Sequence, residues 1–417
     1  MAQGAQKAPL RFVNLSEVVY KYDYCATRGE KLMARTRKSP ERDFNRREVL
    51  AMGAAGAGVG LASILGANAA RAQRPDAFPP PRDPNFGDSP SWRTELKEIG
   101  RNCYTYVQGN GPPHHGGGIS NAGFVVGDEG IFVFDTLNGP APAAPFIERI
   151  REVSDKPFER IVYTHHHGDH TNGAQAFIGP GVEVVSSPYC RQRNLQMVAS
   201  IAGGPADPAY GDISPTFDDG TPRRLVPATT VITGKTSYYY GGTVIELLPI
   251  EPAHTWGDVL VHLPEHKALW MGDNGFFHMA PYLHNGNPIG WMTLLETLLD
   301  IDLEIIVPGH GPAAGKAEVQ EMLDYMTLVR DEARIRFDAG MSAGKAAAEI
   351  RMGRFDNWMG SERIILNLTR WYEVFDGTME HFIDLVRLRE TTAEYNTIVG
   401  GTPEAHRRLY RHDLHYS

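Results

Sequence analysis

Four side chains able to hold a metal ion fall within six residues of one another in the stretch Thr164 to Gly173, THHHGDHTNG: His165, His167, Asp169 and His170. Imidazoles and a carboxylate crowded so closely would repel and desolvate one another unless a cation drew them together. Zn²⁺ takes such ligands at about 2.0 to 2.2 Å. Alternate residues on a tight loop aim two imidazoles at one ion, which leaves Asp169 and His170 facing a neighbouring position. The chain supplies further ligands of the same kind: His254 in PAHTWGD, Asp273 in LWMGDNG and His310 in IIVPGHG.

Apolar runs hold these residues in place. The first cluster follows Phe158, Ile161, Val162 and Tyr163, Asp273 follows Ala268 to Met271, and His310 follows Ile305 to Val307. Such runs read as buried strands, and the ends of strands are where α/β sheets carry functional loops. Strands are also expected within Ile99 to Val107, Ile119 to Val126 and Ile131 to Phe134, then a helix from about Pro142 to Val153. After the metal loop come a short helix over Ala174 to Ile178, a strand over Val182 to Val185 and a helix over Ser187 to Ile201. Strands near Thr230 to Ile232, Thr236 to Tyr240, Thr243 to Pro249 and Asp258 to His262, then Ala268 to Met271, predict a second sheet half. Between the two halves, Gly203 to Pro227 is rich in Gly, Pro and Asp, and so long a connection in a compact domain is functional or disordered. Helical periodicity in Ala317 to Phe337, Ala343 to Ile350, Glu362 to Phe375 and Met379 to Tyr395 predicts a helical extension.

The ligand set, in this order, resembles the metallo-β-lactamase superfamily, whose HxHxDH signature is matched by His165, His167, Asp169 and His170; the likeness runs from about Ser120 to about Pro312. It implies an α/β fold, the αββα sandwich of that superfamily with metals at the sheet edge, here with the C-terminal helices added. Carried over position by position, it implies that His165, His167 and His254 bind one metal, that Asp169, His170 and His310 bind a second, and that Asp273 bridges both. His166 is not among them. The matching Asp of the superfamily bonds to the metal loop, so Asp135 is expected to hold ligand imidazoles in the right tautomer, with a helix N-cap as its alternative role. The implied cofactor is two Zn²⁺, with iron or manganese admitted by the same donors.

Two such ions about 3.5 to 4 Å apart lower the pKa of a shared water from 15.7 to around 7. The expectation is therefore a hydrolase, with Asp169 and Asp273 as the carboxylates closest to the chemistry. Its substrate class is a small ester-like molecule: lactone, ester, thioester or sulfate ester. β-Lactamase activity is an alternative, opposed by Asp273, because true β-lactamases of this fold carry Cys or Ser at the bridge. Alkylsulfatases carry acidic ligands where this chain has His254, although Asn367 to Gly377, NLTRWYEVFDG, faintly resembles the region following their catalytic domain. A mono-iron, persulfide-dioxygenase-like oxidoreductase is the other alternative.

His114 and His115, in the glycine-rich GPPHHGGG, read either as part of an exposed loop or as a flap meeting substrate. Past Asp273 come Phe276, Phe277, His278 and Tyr282, which predict an apolar pocket with few charges, suited to an apolar or aromatic small molecule.

The N-terminus reads differently. Arg46-Arg47 precedes the Ala/Gly-rich run Ala51 to Ala67 and the A-x-A site Ala70-Arg71-Ala72, which predicts a Tat-type signal over residues 1–72, cleaved before Gln73, and a periplasmic or secreted protein. Met33 is an alternative start, making residues 1–32 a mis-called segment. With five glycines in Gly53 to Gly66 the run is a poor membrane span, so no stable insertion is expected after cleavage. Residues 73–95 read as a Pro-rich linker, 96–315 as the catalytic domain, and 316–417 as the helical extension, a packing bundle or a homodimer face. Of 417 residues, 42% are hydrophobic and 22% charged, as in a soluble globular protein. Loss of residues 1–72 removes 12 basic and 6 acidic residues and leaves 29 and 44, a formal net charge of −15. No basic stripe remains to neutralise phosphates, which excludes nucleic acid as a partner. Cys103 and Cys190 are left as the candidates for one disulfide.

Overall fold

The computed structural model describes residues 80–109 and 120–400; the expected signal over residues 1–72 and the candidates His114 and His115 lie outside the described residues. Alternation along the strands builds the sheets. Ile131 and Val133 of the strand Ile131–Phe134 face one core, and Phe132 and Phe134 face another, as a period of two requires.

The first sheet contains β1 (Glu95–Gly100), β2 (Cys103–Val107), β3 (Ala122–Val126), β4 (Ile131–Phe134), β5 (Phe158–Val162), β6 (Glu183–Ser186) and β7 (Thr230–Val231), in that spatial order. Pairing is antiparallel from β1 to β4 and parallel from β4 to β7. The second sheet runs β12 (Ile305–Val307), β11 (Ala268–Trp270), β10 (Val259–Leu263), β9 (Thr243–Pro249) and β8 (Thr236–Tyr240). The strand at Thr230, expected in the second half, thus belongs to the first. Ile232 donates its backbone N–H to Ser186, so the long connector returns the chain to the first sheet, and the few residues between Ile232 and Thr236 make the crossing to the second.

Helices cover both outer faces. On the first sheet, α1 (Pro140–Val153) contributes Phe146 and Ile150 to a core with Phe124, Val133 and Ile161. The short α2 (Gly168–Thr171) is itself part of the HHHGDH stretch and carries Asp169 and His170, and α3 (Pro188–Ile201) starts after Ser187, whose hydroxyl accepts from the Cys190 N–H. On the second sheet, α4 (Pro288–Asp300) and α5 (Lys316–Asp338) bury Trp291, Leu295, Met322 and Tyr325 against Leu248, Leu260 and Leu269. Between the sheets lie Phe132, Phe134, Val162, Leu247, Val261 and Trp270. The result is the αββα sandwich.

The C-terminal helices α6 (Ala343–Glu349), α7 (Ile364–Asp376) and α8 (Leu385–Val399) join the core of the second sheet's outer face, where Trp371 and Tyr395 pack with Tyr325. The last helix starts six residues later than its periodicity suggests, because Asp384 accepts from the Val386 and Arg387 N–H groups as an N-cap. The Pro-rich stretch is docked where it is described: Asn357 donates to the carbonyls of Asp83 and Phe86 and accepts from Asp83 N–H. Cys103 and Cys190 are free and buried, in the inter-sheet core and the outer core of the first sheet respectively, so the candidate disulfide is absent. No helix among the described residues is long and apolar enough to cross a membrane.

Candidate metal centre

Four loops at one edge of the sandwich converge. Val162 ends β5 and the loop carries His165 to His170; β11 ends at Trp270 and delivers Asp273; β12 ends at Val307 and delivers His310; β9 leads through Pro249 to His254. The structure brings all seven predicted residues together as two buried groups, His165–His167–His254–Asp273 and Asp169–His170–Asp273–His310, each with donor atoms within 4.8 Å of one another.

Asp273 lies between them and reaches both groups, with His310 Nε2 3.2 Å from each of its two oxygens. Its Oδ1 is 2.9 Å from His170 Nε2 and 3.2 Å from His310 Nε2, while its Oδ2 is 3.3 Å from His254 Nε2 and 3.6 Å from His165 Nε2. Asp169 Oδ2 closes the second group at 3.1 Å from His310 Nε2. Yet His165 Nε2, His170 Nε2, Asp169 Oδ2 and Asp273 Oδ1 are buried and form no hydrogen bond. Buried polar atoms are otherwise almost always bonded, so these aimed, bond-free atoms fit a pair of cations.

The far sides of the imidazoles are fixed. Asp135, at a left-handed φ of 56°, accepts from His170 Nδ1 at 2.8 Å, from Thr164 N–H at 2.8 Å and from the Thr164 hydroxyl at 2.7 Å. Since that hydroxyl donates to Asp135, its oxygen receives His165 Nδ1 at 3.1 Å. Asp135 therefore sets two tautomers, one directly and one through Thr164, and leaves both Nε2 lone pairs for a metal. It caps no helix, because the N-cap of α1 is Gly139. His166 points away from the centre, towards Tyr189.

Charge distribution agrees with the donor set. Burial disfavours charge on His310, but Asp273 and Asp169 outweigh it and lift the imidazole to about 9. Burial likewise opposes charge on His170, which Asp273, Asp169 and Asp135 hold well above its usual value. Burial opposes the Asp169 carboxylate too, yet His170 and His310 pull it well below the usual range. For His165, burial and then His170 push the pKa down. Two buried carboxylates thus demand positive charge here, and divalent cations meet that demand without protonating the imidazoles.

A cleft opens over the centre, floored by His167, Asp169, Asp273 and His310. The connector after α3 contributes Tyr210, Ile213 and Leu225, and the segment past Asp273 contributes Phe276 and Tyr282. Of the aromatic residues singled out there, Phe276 stacks on His310 at 4.9 Å and Tyr282 lines the cleft. Phe277 is buried in the same core as Phe276 and does not line the cleft. His278, at a φ of 62°, turns out to Glu321 at 3.4 Å. Two arginines line the cleft as well: Arg223, from the connector, and Arg363, just before α7. Arg363 lies 5.5 Å from the ring centroids of both Phe276 and Tyr282. Neither arginine carries a local sequence signature, since one sits in an irregular loop and the other more than fifty positions beyond His310.

Residues 115–310 match the family model of the metallo-beta-lactamase superfamily. A linear primary-alkylsulfatase of Pseudomonas sp. (strain ATCC 19151) is 23% identical over 259 residues, covering 54% of this chain and 48% of that protein. The 2,4-dinitroanisole O-demethylase subunit alpha of Nocardioides sp. (strain JS1661) is 24% identical over 193 residues, covering 45% and 51%. The chain spans about half the length of these curated relatives. Among solved structures, the stereoselective inverting sec-alkylsulfatase Pisa1 from Pseudomonas sp. superposes with a TM-score of 0.52 at 17% identity, covering 69% of this chain and 51% of that one.

Proposed function

We propose, from the premise that the chain carries a metallo-β-lactamase superfamily domain, that it is a dinuclear metal-dependent hydrolase of a small ester-like substrate. The observation that carries this reading is Asp273, whose carboxylate is shared by both ligand groups. Two zinc ions held there would supply an ionised water at neutral pH and polarise the scissile group. The side chains supply the rest. Asp169, at the mouth of the second group, accepts a hydrogen bond from the attacking water and orients it. Tyr210, Phe276 and Tyr282 offer an apolar wall that excludes bulk solvent, and Arg363 and Arg223 hold a negative charge on the substrate.

Within the ester-like class, that pair of guanidiniums beside an aromatic wall favours an anionic substrate with an apolar body. A sulfate ester fits this description, and two of the relatives are named alkylsulfatases. The Tat-type signal at Arg46-Arg47 supports export to the periplasm or beyond. Metal analysis and a hydrolysis panel test the reading: two zinc per chain with turnover of an alkyl sulfate, lactone or thioester is expected. One iron per chain with oxygen uptake would replace it with the redox alternative.

A further inference from the structure

The sequence leaves the C-terminal helices as a packing or dimerisation bundle, but their polar side chains are spent elsewhere. Arg363, Asn367 and Arg370 recur at helical spacing on one face, and all three bond to the backbone of the segment Ala280 to Gly286. Arg363 Nη1 donates to Ala280 O at 2.7 Å, Asn367 Nδ2 to Pro281 O at 3.0 Å, and Arg370 Nε to Gly286 O at 2.8 Å. The Leu283 N–H donates back to Asn367 Oδ1, and the Ile383 N–H donates to His284 O at 3.1 Å. Arg370 is itself fixed by Glu373 at 2.7 Å, and both are buried.

The segment so gripped carries Asn285, whose side chain is fully buried beside the metal centre. Its Oδ1 lies 3.1 Å from His167 Nε2 and 2.8 Å from His284 Nδ1. An amide oxygen has two lone pairs, and here two imidazole N–H groups use them. With Nε2 protonated, His167 presents Nδ1 as its only lone pair, and that atom lies 3.0 Å from His254 Nε2, inside the first ligand group. Asp135 fixes His165 and His170; nothing in the metal loop fixes His167.

We infer that Asn285 is the positioning residue for His167 and that the C-terminal extension, by holding Ala280 to Gly286 through its backbone, is part of the metal centre's support. This rests on the dinuclear reading above. It also assigns Asn285 Nδ2 no essential partner, since that atom is buried without a hydrogen bond. A carboxylate of the same shape should therefore serve at least as well.

The test is chelator-competition titration of zinc, with cobalt absorption as the signature of imidazole ligation, on the full chain. Wild type should bind two ions. Asn285→Leu should bind one of the two roughly 10 to 100-fold more weakly and the other normally, while Asn285→Asp should bind that ion as tightly as wild type or tighter. Unchanged affinity for both ions in Asn285→Leu would overturn the inference alone, whereas fewer than two ions in wild type would overturn the dinuclear reading and the inference with it. If the leucine variant does not fold, Asn285→Asp decides, with weaker binding counting against. A remote variant, Asn367→Ala, should weaken the same ion and not the other; loss spread equally over both ions would make the extension a general stabiliser and overturn its assigned role.

Discussion

Gly309 has no side chain because Asp273 occupies the place where one would go. A Cβ on Gly309 would overlap Asp273 Oδ1 and lie 2.7 Å from Gly272 C and 2.8 Å from Asp273 N. The two loops are bonded there as well, Gly309 N–H donating to Gly272 O at 2.6 Å. The carboxylate shared by both ligand groups is therefore seated against bare backbone.

Gly309→Ala should thus displace Asp273 while leaving every ligand in the sequence. The expected outcome is loss of at least one zinc per chain and a hydrolysis rate lower by two orders of magnitude or more, since a misplacement on the order of 1 Å costs about that much. Metal content by mass spectrometry and kcat/KM check it. A fully loaded, active alanine variant would mean that the bridge tolerates movement.

Asp135→Asn probes the other side of the centre. Asparagine accepts a left-handed φ, so the backbone at 56° remains available. Its NH₂ group, however, must face either the Thr164 N–H or the donors His170 Nδ1 and Thr164 Oγ1, all of which now donate to carboxylate oxygens. Zinc affinity should fall about 10 to 100-fold, with the melting temperature of the loaded protein falling less. Titration with a competing chelator measures the first and calorimetry the second.

How much of this was legible follows from where the residues sit. His165 to His170, Asp273 and His310 stand directly after short apolar strands, so a run and a ligand mark them together. Asn285, Arg223 and Arg363 stand in irregular segments or at a helix start, where local pattern reports only turn or helix. Their roles arise from contacts across distant stretches, such as Arg370 to Gly286. Phe277 and His278 share a composition with Phe276 and Tyr282, but the chain bends there and His278 takes a left-handed φ, so composition alone does not say which of them reach the cleft. The strand at Thr230 was readable as a strand and not as a member of either sheet, because two residues specify no partner.

The metal-free protein should lose stability as pH rises through the neutral range. His310, held at about 9 against an ordinary 6.5, binds a proton more tightly folded than unfolded. That contribution is fully present below pH 6.5 and is lost as pH climbs to about 9; at an upper bound it is on the order of 3 kcal/mol. His170, shifted in the same direction, adds to it. With zinc bound the imidazoles are neutral ligands and the slope should vanish. Thermal unfolding of chelated and loaded protein between pH 6 and 9 gives the comparison, and parallel curves would count against proton-for-metal exchange at this site.

The roof of the cleft should be separable from its floor. Arg193 of α3, itself buried, grips Asp207 through two contacts of 2.8 and 2.7 Å, and Asp207 Oδ1 accepts from the N–H groups of Ala209 and Tyr210. Tyr210 then lies parallel to His284 at 6.1 Å, and His284 lies parallel to Tyr282 at 5.6 Å, so one ion pair anchors a connector to the aromatic wall. None of these atoms belongs to either ligand group. Asp207→Asn keeps the shape and removes the charge, leaving the Arg193 guanidinium buried beside a neutral amide, a loss worth about 3 to 5 kcal/mol where a pair is wholly buried. The melting temperature should drop and KM for an alkyl sulfate should rise about tenfold, while zinc stoichiometry stays at the wild-type value. Loss of zinc instead would show that the connector braces the metals and does not merely enclose the substrate.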